Sequence, residues 1–530
     1  MHQQYDVLIM GGGLSGLTLA IQLKRKVASL RILIAEQAAH PAPEAAHKVG
    51  ESSVEIASHY FENILGLKAQ LDNELPKLGL RFFYTLGANA EISKRIELGP
   101  SDFPAAKSYQ LDRGRFENAL AVQCLQLGID FQDNCKVKAI ALGQSQHQIT
   151  LLHNDQESVV QTNWLVDSTG RMSLLKRKLK LAKPAYHDIN ASWFRINHAI
   201  NIDNWSQKPD WQDRVKAPRR LSTNHLLGKG YWVWLIPLSS GATSIGIVAD
   251  AKIHPYAEIN TFERAKVWLK KYEPQCAQML DQHLDKFQDF LTLKHYSHNC
   301  KKMYSTDGWA ITGDAGVFLD PFYSPGSDFI ALNNGFISDL IIKQYTGEDI
   351  AVRTEQYEKL FRTLFLAFCP VYEDQYPIMA NAKVMSIKII WDYTLYWSGA
   401  ALLFFRDKFC DLEFMQITAN SLQQIYQINL QMQGFFRQWA DIDLSSAKKS
   451  DIFINYSKIE FLQQLNKDLV KECDDQRLQQ QLAQNIDLIR ELAGEIVAEA
   501  CIGFPELKGY VSGIPASQER YLADVFALFR

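Results

Sequence analysis

The chain has 530 residues, 47% of them hydrophobic, which is enough to fill about two to four domains with substantial cores. Its net charge is −3 and we find no long basic run, so nucleic-acid binding is not expected and a small or carrier-borne substrate is favoured. The eight cysteines show no paired spacing, which indicates reduced, buried thiols, not metal ligands or a disulfide framework. The N-terminus leaves no room for a signal peptide, so we expect a cytoplasmic enzyme without a transmembrane segment.

The N-terminal segment has the strand, glycine turn and helix order of a dinucleotide-binding site. The apolar run 5–10 predicts a strand, and a helix-like segment follows from Leu17. In such a turn one glycine allows the tight bend, one lets the backbone approach a pyrophosphate, and one permits close packing of helix on strand. A second predicted strand, 32–35, ends where an acid that binds ribose belongs. The residues assigned to the dinucleotide here are Gly11, Gly13, Leu14, Ser15, Gly16 and Glu36.

A later segment favours FAD over NAD as the dinucleotide. The short predicted strand 309–312 leads into Gly313-Asp314-Ala315, which resembles the second FAD motif of the glutathione-reductase-like flavoproteins. In that motif the aspartate binds ribitol hydroxyl groups, and the next helix, predicted here over 327–340, points its N-terminus at the flavin. Capping of a helix is the other role open to Asp314. A polar turn that begins at Asp167 is expected to close over the nucleotide, together with Arg113.

The middle of the chain is predicted to form a sheet that covers the substrate. Aromatic or β-branched runs at 231–237 and 243–248 are separated by Ser239-Ser240-Gly241, which predicts a hairpin. We therefore expect an FAD-binding domain over residues 1–345, interleaved with this sheet at about 180–300.

The remainder, 346–530, has mostly helical periodicity and is predicted to form a helical C-terminal subdomain. Within it, the apolar stretch 393–405 is too short to span a bilayer and predicts a buried or amphipathic helix. The aromatic residues Trp391, Trp397 and Phe404 belong either to the core or to a substrate pocket.

Two segments resemble the flavin-dependent halogenases of the tryptophan-halogenase type. Residues 232–237 fit the family pattern W-x-W-x-I-P at every specified position, with Trp232 and Trp234 as its aromatic members. The other interpretation of this segment is an aromatic core strand. Residues 49–53, Val-Gly-Glu-Ser-Ser, are similar to the family's V-G-E-S/A-T segment beside the flavin, so Gly50, Glu51 and Ser52 are assigned to FAD. Ser52 or Ser53 is also a candidate N-cap for the helix that follows.

A third segment, 76–82, looks like the one that carries the family's essential lysine, here Lys77. Without that context, a lysine at a strand edge is expected to be a solvated surface residue.

The resemblance implies an α/β fold. It would contain a Rossmann-type FAD-binding domain of the glutathione-reductase-like and hydroxybenzoate-hydroxylase-like kind, a substrate-covering β-sheet region and a mostly helical C-terminal lobe. It further implies that reduced FAD arrives from a partner flavin reductase and reacts with oxygen to give a C4a-hydroperoxide. A halide ion would attack this species to give hypohalous acid, which travels to Lys77. Trp232 and Trp234 would separate the flavin from the organic substrate.

The loop 320–326 departs from the family pattern at two positions. Its residues Pro321, Tyr323, Ser324 and Gly326 align with the loop that holds halide beside the flavin. Tryptophan halogenases carry a glutamate at the position of Tyr323, so free tryptophan is not expected as the substrate, and a phenol, pyrrole or other activated ring is favoured. Pro325 has no N–H to offer the halide, which would weaken binding by about 1.5–3 kcal/mol while the Gly326 N–H remains.

Three functions stay open on these grounds. The first is a halogenase of an activated aromatic, either free or presented by an acyl or peptidyl carrier protein. The second is a halogenase-like monooxygenase or dehydrogenase of an aromatic or polyketide-like intermediate. The third is a non-catalytic FAD-binding protein, which the complete flavin motifs disfavour.

Overall fold

The computed structural model describes residues 4–45, 50–185, 187–445, 449–515, 517 and 519–530. Its strands, in chain order, are β1 (Gln4–Met10), β2 (Ile32–Ala35), β3 (Leu75–Pro76), β4 (Leu80–Tyr84), β5 (Glu97–Gly99), β6 (Tyr109–Gln110), β7 (Asp130–Gln132), β8 (Cys135–Ala141), β9 (His147–His153), β10 (Gln156–Asp167), β11 (Ala182–Lys183), β12 (Ile189–Ile196), β13 (Thr223–Gly228), β14 (Tyr231–Pro237), β15 (Thr243–Asp250), β16 (Phe287–Leu293), β17 (Asn299–Cys300), β18 (Tyr304–Ser305), β19 (Trp309–Ile311) and β20 (Phe453–Asn455).

The helices, in chain order, are α1 (Leu14–Lys26), α2 (Glu55–His59), α3 (Lys68–Leu71), α4 (Arg113–Gln126), α5 (Leu174–Lys178), α6 (Pro209–Gln212), α7 (Phe262–Tyr272), α8 (Pro274–Asp281), α9 (Gly326–Tyr345), α10 (Ala351–Tyr372), α11 (Ala382–Leu395), α12 (Ala401–Phe405), α13 (Leu412–Ile442), α14 (Glu460–Leu469), α15 (Asp475–Gly503) and α16 (Ala523–Ala527). Among the described residues, none of the helices combines the length and the apolar character that crossing a membrane requires.

The chain divides into two compact units, each assembled from three separate stretches. Unit 1 contains Met1–Glu74, Leu111–Tyr186 and Tyr296–Leu366. Unit 2 contains Leu75–Gln110, His187–His295 and Ala367–Arg530.

Unit 1 is built on a mainly parallel sheet with the strand order β18-β19-β10-β1-β2-β7. The pairs from β19 to β7 are parallel, and β8 and β9 extend β10 through antiparallel pairing. Strand β2 and residues 7–10 of β1 are continuous apolar runs because both faces of a parallel sheet are covered. Helix α1 connects them, so the predicted Rossmann-type α/β arrangement is confirmed.

Unit 2 contains a second sheet with the order β16-β12-β15-β14-β13-β4-β5-β20. The predicted hairpin is present as β14 and β15, which pair in antiparallel register from Tyr231↔Ala249 to Pro237↔Thr243. One face of this sheet packs into a hydrophobic cluster that includes Val233, Leu235 and residues of α7 and α8 such as Trp268 and Leu280. Burial of this face fixes which side chains of β14 point away from the cluster.

The C-terminal stretch of unit 2 is mostly helical, as its periodicity predicts. Helix α11 continues through a π-helical turn, Tyr396–Ala400, into α12, so the apolar stretch 393–405 forms a helical segment with an irregular turn. Trp391, Trp397 and Phe404 are all buried, and the indole N–H of Trp391 donates to Asn429 Oδ1 at 3.1 Å. Their burial supports the core interpretation of this aromatic cluster.

Candidate functional site

The glycine turn before α1 in unit 1 leaves space where a ligand phosphate belongs. Gly11 has φ +104°, and a Cβ there would lie 2.5 Å from the Ser168 carbonyl oxygen. A Cβ on Gly16 would lie 2.3 Å from the Gly11 carbonyl oxygen, whereas one on Gly13 would meet no atom closer than 4.0 Å. Two glycines therefore permit close backbone packing, and the third opens the turn.

The N-terminus of α1 is free to bind an anion from its backbone N–H groups. Gly13 is its N-cap, no side chain caps the helix, and no acidic residue stands in the first turn. The helix begins at Leu14, three residues before the predicted start, so Ser15 and Gly16 belong to its first turn. Uncapped N–H groups together with the helix dipole fit the pyrophosphate of a dinucleotide.

Glu36 closes the turn from the end of β2. Its Oε2 accepts a hydrogen bond from the Gly12 N–H at 2.6 Å, and its Oε1 accepts one from the Ala38 N–H at 2.7 Å. The carboxylate is thus fixed beside the glycine turn. Each oxygen keeps a second lone pair, which fits an acceptor for ribose hydroxyl groups.

Asp167, at the end of β10, organises its own turn. Its Oδ1 accepts hydrogen bonds from the N–H and hydroxyl of Thr169, and its Oδ2 accepts one from the Leu175 N–H at 2.7 Å. Burial raises the pKa of this carboxyl, and these hydrogen bonds act in the opposite direction. The structure therefore gives Asp167 a role in holding the turn that leads into α5.

Gly313 and Asp314 follow β19 and lie against the first turn of α1. Gly313 has φ +60°, and a Cβ there would lie 2.8 Å from Ser15 Oγ, so the two segments touch. Burial raises the pKa of the Asp314 carboxyl, and the positive charges of Arg113, Arg171 and Lys176 oppose that shift. The structure thus brings together two sequence-predicted segments that are distant in the chain, with cations around the acidic group.

Arg113 links the segment after β2 to helix α4. Its guanidinium donates to the Gly50 carbonyl at 3.2 Å and to Glu117 Oε1 at 2.9 Å. Gly50 has φ +94°, and the carbonyl of Glu51 accepts from the Leu111 N–H at 2.6 Å. Val49, which belongs to the same predicted motif, lies outside the described residues.

The predicted N-cap of the next helix is wrong. Val54 is the N-cap of α2 and makes no side-chain capping bond. The Ser53 hydroxyl is 2.8 Å from that of Ser58, and Ser52 instead contacts the loop 320–326. Both hydroxyls have tertiary or medium-range partners, which local helix signals do not reveal.

The loop 320–326 turns tightly and ends at α9. The Ser324 N–H donates to the Pro321 carbonyl at 2.9 Å, and Ser324 has φ +60°, which is strained for a residue with a Cβ. Its hydroxyl donates to Ser52 Oγ at 3.0 Å, so the loop contacts the segment after Gly50. The ring of Tyr323 packs on Phe322 at 4.7 Å.

A narrow cleft joins this loop to the Asp314 segment within unit 1. Pro325 is the N-cap of α9, and the helix begins at Gly326, one residue earlier than predicted, and ends at Tyr345. The cleft is lined by Gly313, Asp314, Val317, Phe318, Leu319, Asp320, Pro325, Gly326, Phe329, Asn333 and Phe361.

Two positioning residues of α9, Asn333 and Asn334, were not predicted from the sequence. Asn334 Nδ2 donates to the Ser15 carbonyl at 3.0 Å, and its Oδ1 accepts from the Thr312 hydroxyl at 2.8 Å. Asn333 Nδ2 donates to the Ile311 carbonyl at 2.8 Å. These amides tie α9 to both α1 and the end of β19. Two adjacent amides in an otherwise apolar helix were the available sequence signal.

In unit 2, the tryptophans of the 232–237 segment lie on the face of the sheet opposite to the hydrophobic cluster. Val233 and Leu235 belong to that cluster, and alternation along β14 places Trp232 and Trp234 on the other face. Both indoles are buried, and Trp232 Nε1 donates to the Tyr376 hydroxyl at 2.8 Å. Packing in that hydrophobic cluster therefore does not account for the presence of the two tryptophans.

The indole of Trp234 occupies space over the neighbouring strand β15 that is open because Gly246 has no side chain. The two residues are register partners, and a Cβ on Gly246 would lie 2.2 Å from the indole. Trp234 Nε1 donates to Ser244 Oγ at 3.1 Å. This face continues through His225, whose ring stacks on Phe82 at 4.7 Å.

Lys77 is only 1% exposed, which excludes the solvated-surface interpretation. Its N–H donates to the Ser108 carbonyl at 2.8 Å, and the Leu78 N–H donates to the Leu221 carbonyl at 3.0 Å. The next residue, Gly79, has φ +93°, and a Cβ there would lie 2.5 Å from the Tyr456 hydroxyl. The backbone around Lys77 is therefore held on both sides at the entry to β4, within unit 2.

The glycine turn, Glu36 and the Gly313-Asp314 segment of unit 1 fit an FAD molecule. The fold together with this site defines an FAD-dependent oxidoreductase of the halogenase or monooxygenase class. The family model described as tryptophan halogenase matches residues 83–362, more than half of the chain. The chain belongs to the tryptophan halogenase family. This membership confirms the predicted family, the enzyme class and the FAD cofactor with halide as co-substrate.

Individual relatives agree with this assignment. The flavin-dependent halogenase chlA of Dictyostelium discoideum is 26% identical, over 74% of this chain and 70% of its own length. A 1H-pyrrole-2-carbonyl-[peptidyl-carrier protein] brominase of Pseudoalteromonas luteoviolacea is 26% identical, over 66% of this chain and 79% of its own. The crystal structure of halogenase PltM with phloroglucinol and FAD has a TM-score of 0.66 at 16% identity and covers 96% of this chain and 97% of its own, which indicates a shared fold.

Proposed function

We propose that this protein halogenates an activated aromatic ring of the phenol or pyrrole type. The observation that carries the proposal is the burial of Lys77 in the unit whose sheet also bears the complete W-x-W-x-I-P segment. Burying a lysine amine costs free energy that polar partners have to offset, and accepting this cost favours a functional role for Lys77 over that of an ordinary surface lysine. The held backbone on either side of Lys77 adds to this argument, because a reacting amine has to be positioned accurately.

In this proposal each unit has a separate task. When bound, reduced FAD would pass two electrons to molecular oxygen, and the resulting peroxide-level oxygen would supply the two-electron oxidising equivalent that converts halide into an electrophile. Lys77 holds the oxidised halide by a hydrogen bond or as a haloamine beside the substrate ring. Trp232 and Trp234 form an aromatic partition that keeps the ring away from direct oxygenation. Tyr323 and Ser324 shape the loop that receives the halide.

Unit 1 binds the cofactor through groups already in position. The open turn at Gly13 and the N-terminus of α1 receive the pyrophosphate, and Glu36 accepts ribose hydroxyl groups. Asp314 binds the ribitol chain, with Arg113 beside it. Gly50, Glu51, Ser52, Pro321 and Gly326 complete the flavin surroundings, and Asp167 keeps its turn in shape. The reduced cofactor comes from a separate flavin reductase.

The substrate is either free or attached to a carrier protein. Two relatives are named as halogenases of a pyrrole ring on a peptidyl carrier protein, one a brominase and one a chlorinase. The aromatic side chain of Tyr323 replaces the glutamate expected in tryptophan halogenases, so an electron-rich ring is the better substrate.

A monooxygenase or dehydrogenase of a similar aromatic or polyketide-like compound is the second candidate. The observation that favours it is Pro325, which caps α9 at the halide loop and has no N–H to donate. Losing one hydrogen bond to an anion corresponds to roughly ten- to a hundred-fold weaker halide binding.

One assay separates the two candidates. The protein is given chemically reduced FAD, oxygen and bromide with a panel of phenols and pyrroles, free and carrier-bound, and product masses are recorded. We expect brominated product from the wild type and none from Lys77→Met, which keeps a side chain of similar length without an amine. The Lys229→Ala variant removes an exposed lysine of unit 2 and serves as the matched control.

Oxygenated product that forms without halide and persists in Lys77→Met would refute halogenation and support the second candidate. Circular dichroism and FAD binding of Lys77→Met are measured alongside, so that misfolding is not mistaken for loss of chemistry.

A further inference from the structure

Unit 1 carries a basic segment over residues 171–183. Residues 171–183 contain six lysines or arginines and no carboxylate, and five of the eight residues 176–183 are basic. The expectation that no long basic run supplies a local patch is therefore wrong. A global net charge of −3 concealed a local concentration of positive charge.

The fold adds a second basic segment to the first. Strand β11 pairs with β17, with Ala182 opposite Cys300, and the Lys301 N–H donates to the Leu181 carbonyl at 2.8 Å. The exposed cations of the two segments define what we call the basic surface: Arg171, Arg177, Lys178, Lys180, Lys301 and Lys302.

The charges of the basic surface are not neutralised locally. Across the part of the chain that the structure describes, none of its six side chains forms an ion pair with a carboxylate. The nearby acid Glu358 is engaged elsewhere, since it pairs with Arg362 and accepts from the Met303 N–H at 2.7 Å. A concentrated positive field is therefore available to a soluble anion.

One edge of the basic surface borders the segment predicted to hold the flavin. Arg171 follows the turn formed by Asp167, and its turn packs against the turn of Gly313 and Asp314. Arg171 and buried Lys176 both act on the Asp314 carboxyl by lowering its pKa. Lys176 is fixed there because its Nζ donates to the Gly316 carbonyl at 2.7 Å.

We propose that the basic surface captures reduced FAD from solution and steers it to its site in unit 1. The inference rests on the proposed function in one respect, the arrival of reduced FAD from a separate reductase. The pyrophosphate of FAD carries two negative charges, which the surface attracts over the Debye length. Free reduced flavin is consumed by oxygen, so faster capture raises the share of cofactor that reaches the enzyme intact.

The test measures association kinetics rather than turnover. The full-length protein is mixed anaerobically with reduced FAD in a stopped-flow instrument at several salt concentrations. The variant Lys178→Gln/Lys180→Gln/Lys301→Gln/Lys302→Gln is compared with the wild type. At ionic strength of about 0.01 M we expect the association rate constant to fall about tenfold and the dissociation rate constant to stay within about twofold. We also expect the association rate constant of this variant to change less with salt concentration than that of the wild type.

The matched control removes the same number of exposed lysines from unit 2, as Lys229→Gln/Lys252→Gln/Lys270→Gln/Lys294→Gln. We expect this variant to lose much less of its association rate than the first. Equal rates and equal salt dependence in both variants would overturn the proposal. So would normal flavin kinetics combined with slower turnover of a carrier-bound substrate only, because the basic surface would then serve an acidic protein.

Failure of the proposed function gives a different pattern. If Lys77→Met still yields product but the basic-surface variant captures flavin slowly, halogenation by Lys77 is refuted and the steering surface stands. If Lys77→Met is inactive and the basic-surface variant captures flavin as fast as the wild type, the steering surface is refuted and halogenation by Lys77 stands.

Discussion

At the scale of single residues, Gly246 decides where an indole of the family motif can lie. The side chain of Trp234 occupies the space that a Cβ on Gly246 would need. Trp232, two residues earlier, is anchored instead by its hydrogen bond to the Tyr376 hydroxyl. The two tryptophans of one motif thus have different surroundings. Trp234 fills the space left open at Gly246, whereas Trp232 is fixed by a polar partner.

We expect Gly246→Ala to displace the Trp234 indole and to lower the free energy of unfolding by about 1–3 kcal/mol, since the added methyl overpacks a filled space. Urea denaturation measures the stability, and tryptophan fluorescence reports the displacement. Gly335→Ala is the control, because a Cβ at that helical glycine meets no atom within 4 Å and alanine favours helix. An unchanged emission spectrum and stability in Gly246→Ala would contradict the packing described here.

At the scale of secondary-structure elements, α9 organises unit 1. Its N-terminus ends the loop 320–326, and its middle is tied to α1 and β19 by the amides of Asn333 and Asn334. Its first turn contributes Asp328, whose Oδ1 accepts from the Ala57 N–H at 2.9 Å and so links α9 to α2. The loop 320–326, the first turn of α1 and the end of β19 are therefore all held in position by α9.

We expect Asn334→Leu to lower the free energy of unfolding by about 2–4 kcal/mol, because buried hydrogen-bonding groups of Ser15 and Thr312 lose their partner. FAD affinity should fall as well, since α1 and the Gly313 segment lose a shared anchor. Denaturation curves and a flavin fluorescence titration measure the two effects.

Ser338→Ala provides the comparison one turn further along α9. The Ser338 hydroxyl is buried and makes no hydrogen bond to any residue the structure describes, so its removal should cost little or nothing. If Asn334→Leu and Ser338→Ala behaved alike, the bridging role of Asn334 would be disproved.

At the scale of the whole molecule, each unit gathers three stretches of chain, so neighbours in the fold are far apart in the sequence. Strand β20, for example, pairs with β5 although about two thirds of the chain separates them. The eight cysteines are distributed over both units, and all eight are free thiols, as their spacing predicts, but only five of them are buried as expected. Burial raises the pKa of the Cys124 thiol to about 12 and that of Cys135 to about 11.

A thiol titration checks this arrangement. In denaturant we expect eight reactive thiols with or without prior reduction. In the native protein only the three partly exposed ones, Cys410, Cys473 and Cys501, should react quickly, because a thiol reagent cannot reach the five buried thiols. Fewer than eight thiols before reduction would reveal a disulfide and contradict the structure.

Much of the local structure around the candidate nucleotide site was predictable from the sequence because its signals are local. Strand β2 and strand β14 have the predicted bounds, and the turn at Gly11, Gly13 and Gly16 is built as its spacing indicates. The start of α1 was misplaced by three residues, since a glycine N-cap gives no side-chain signal. The serine cap of α2 was wrong because the hydroxyl groups have partners that lie elsewhere in the fold.

The sequence by itself determined the family, the glycine turn before α1 and the tryptophan motif, because each is a pattern of residues close together in the chain. Only the tertiary structure decided that Lys77 is buried, that Trp232 and Trp234 lie opposite the hydrophobic cluster, and that Asn334 bridges two elements. It alone joined residues 171–183 to Lys301 and Lys302 in one basic surface. The burial of a side chain, the sheet face on which it lies and the charge concentrated on a surface all depend on contacts between residues that are distant in the sequence. No local pattern encodes such contacts.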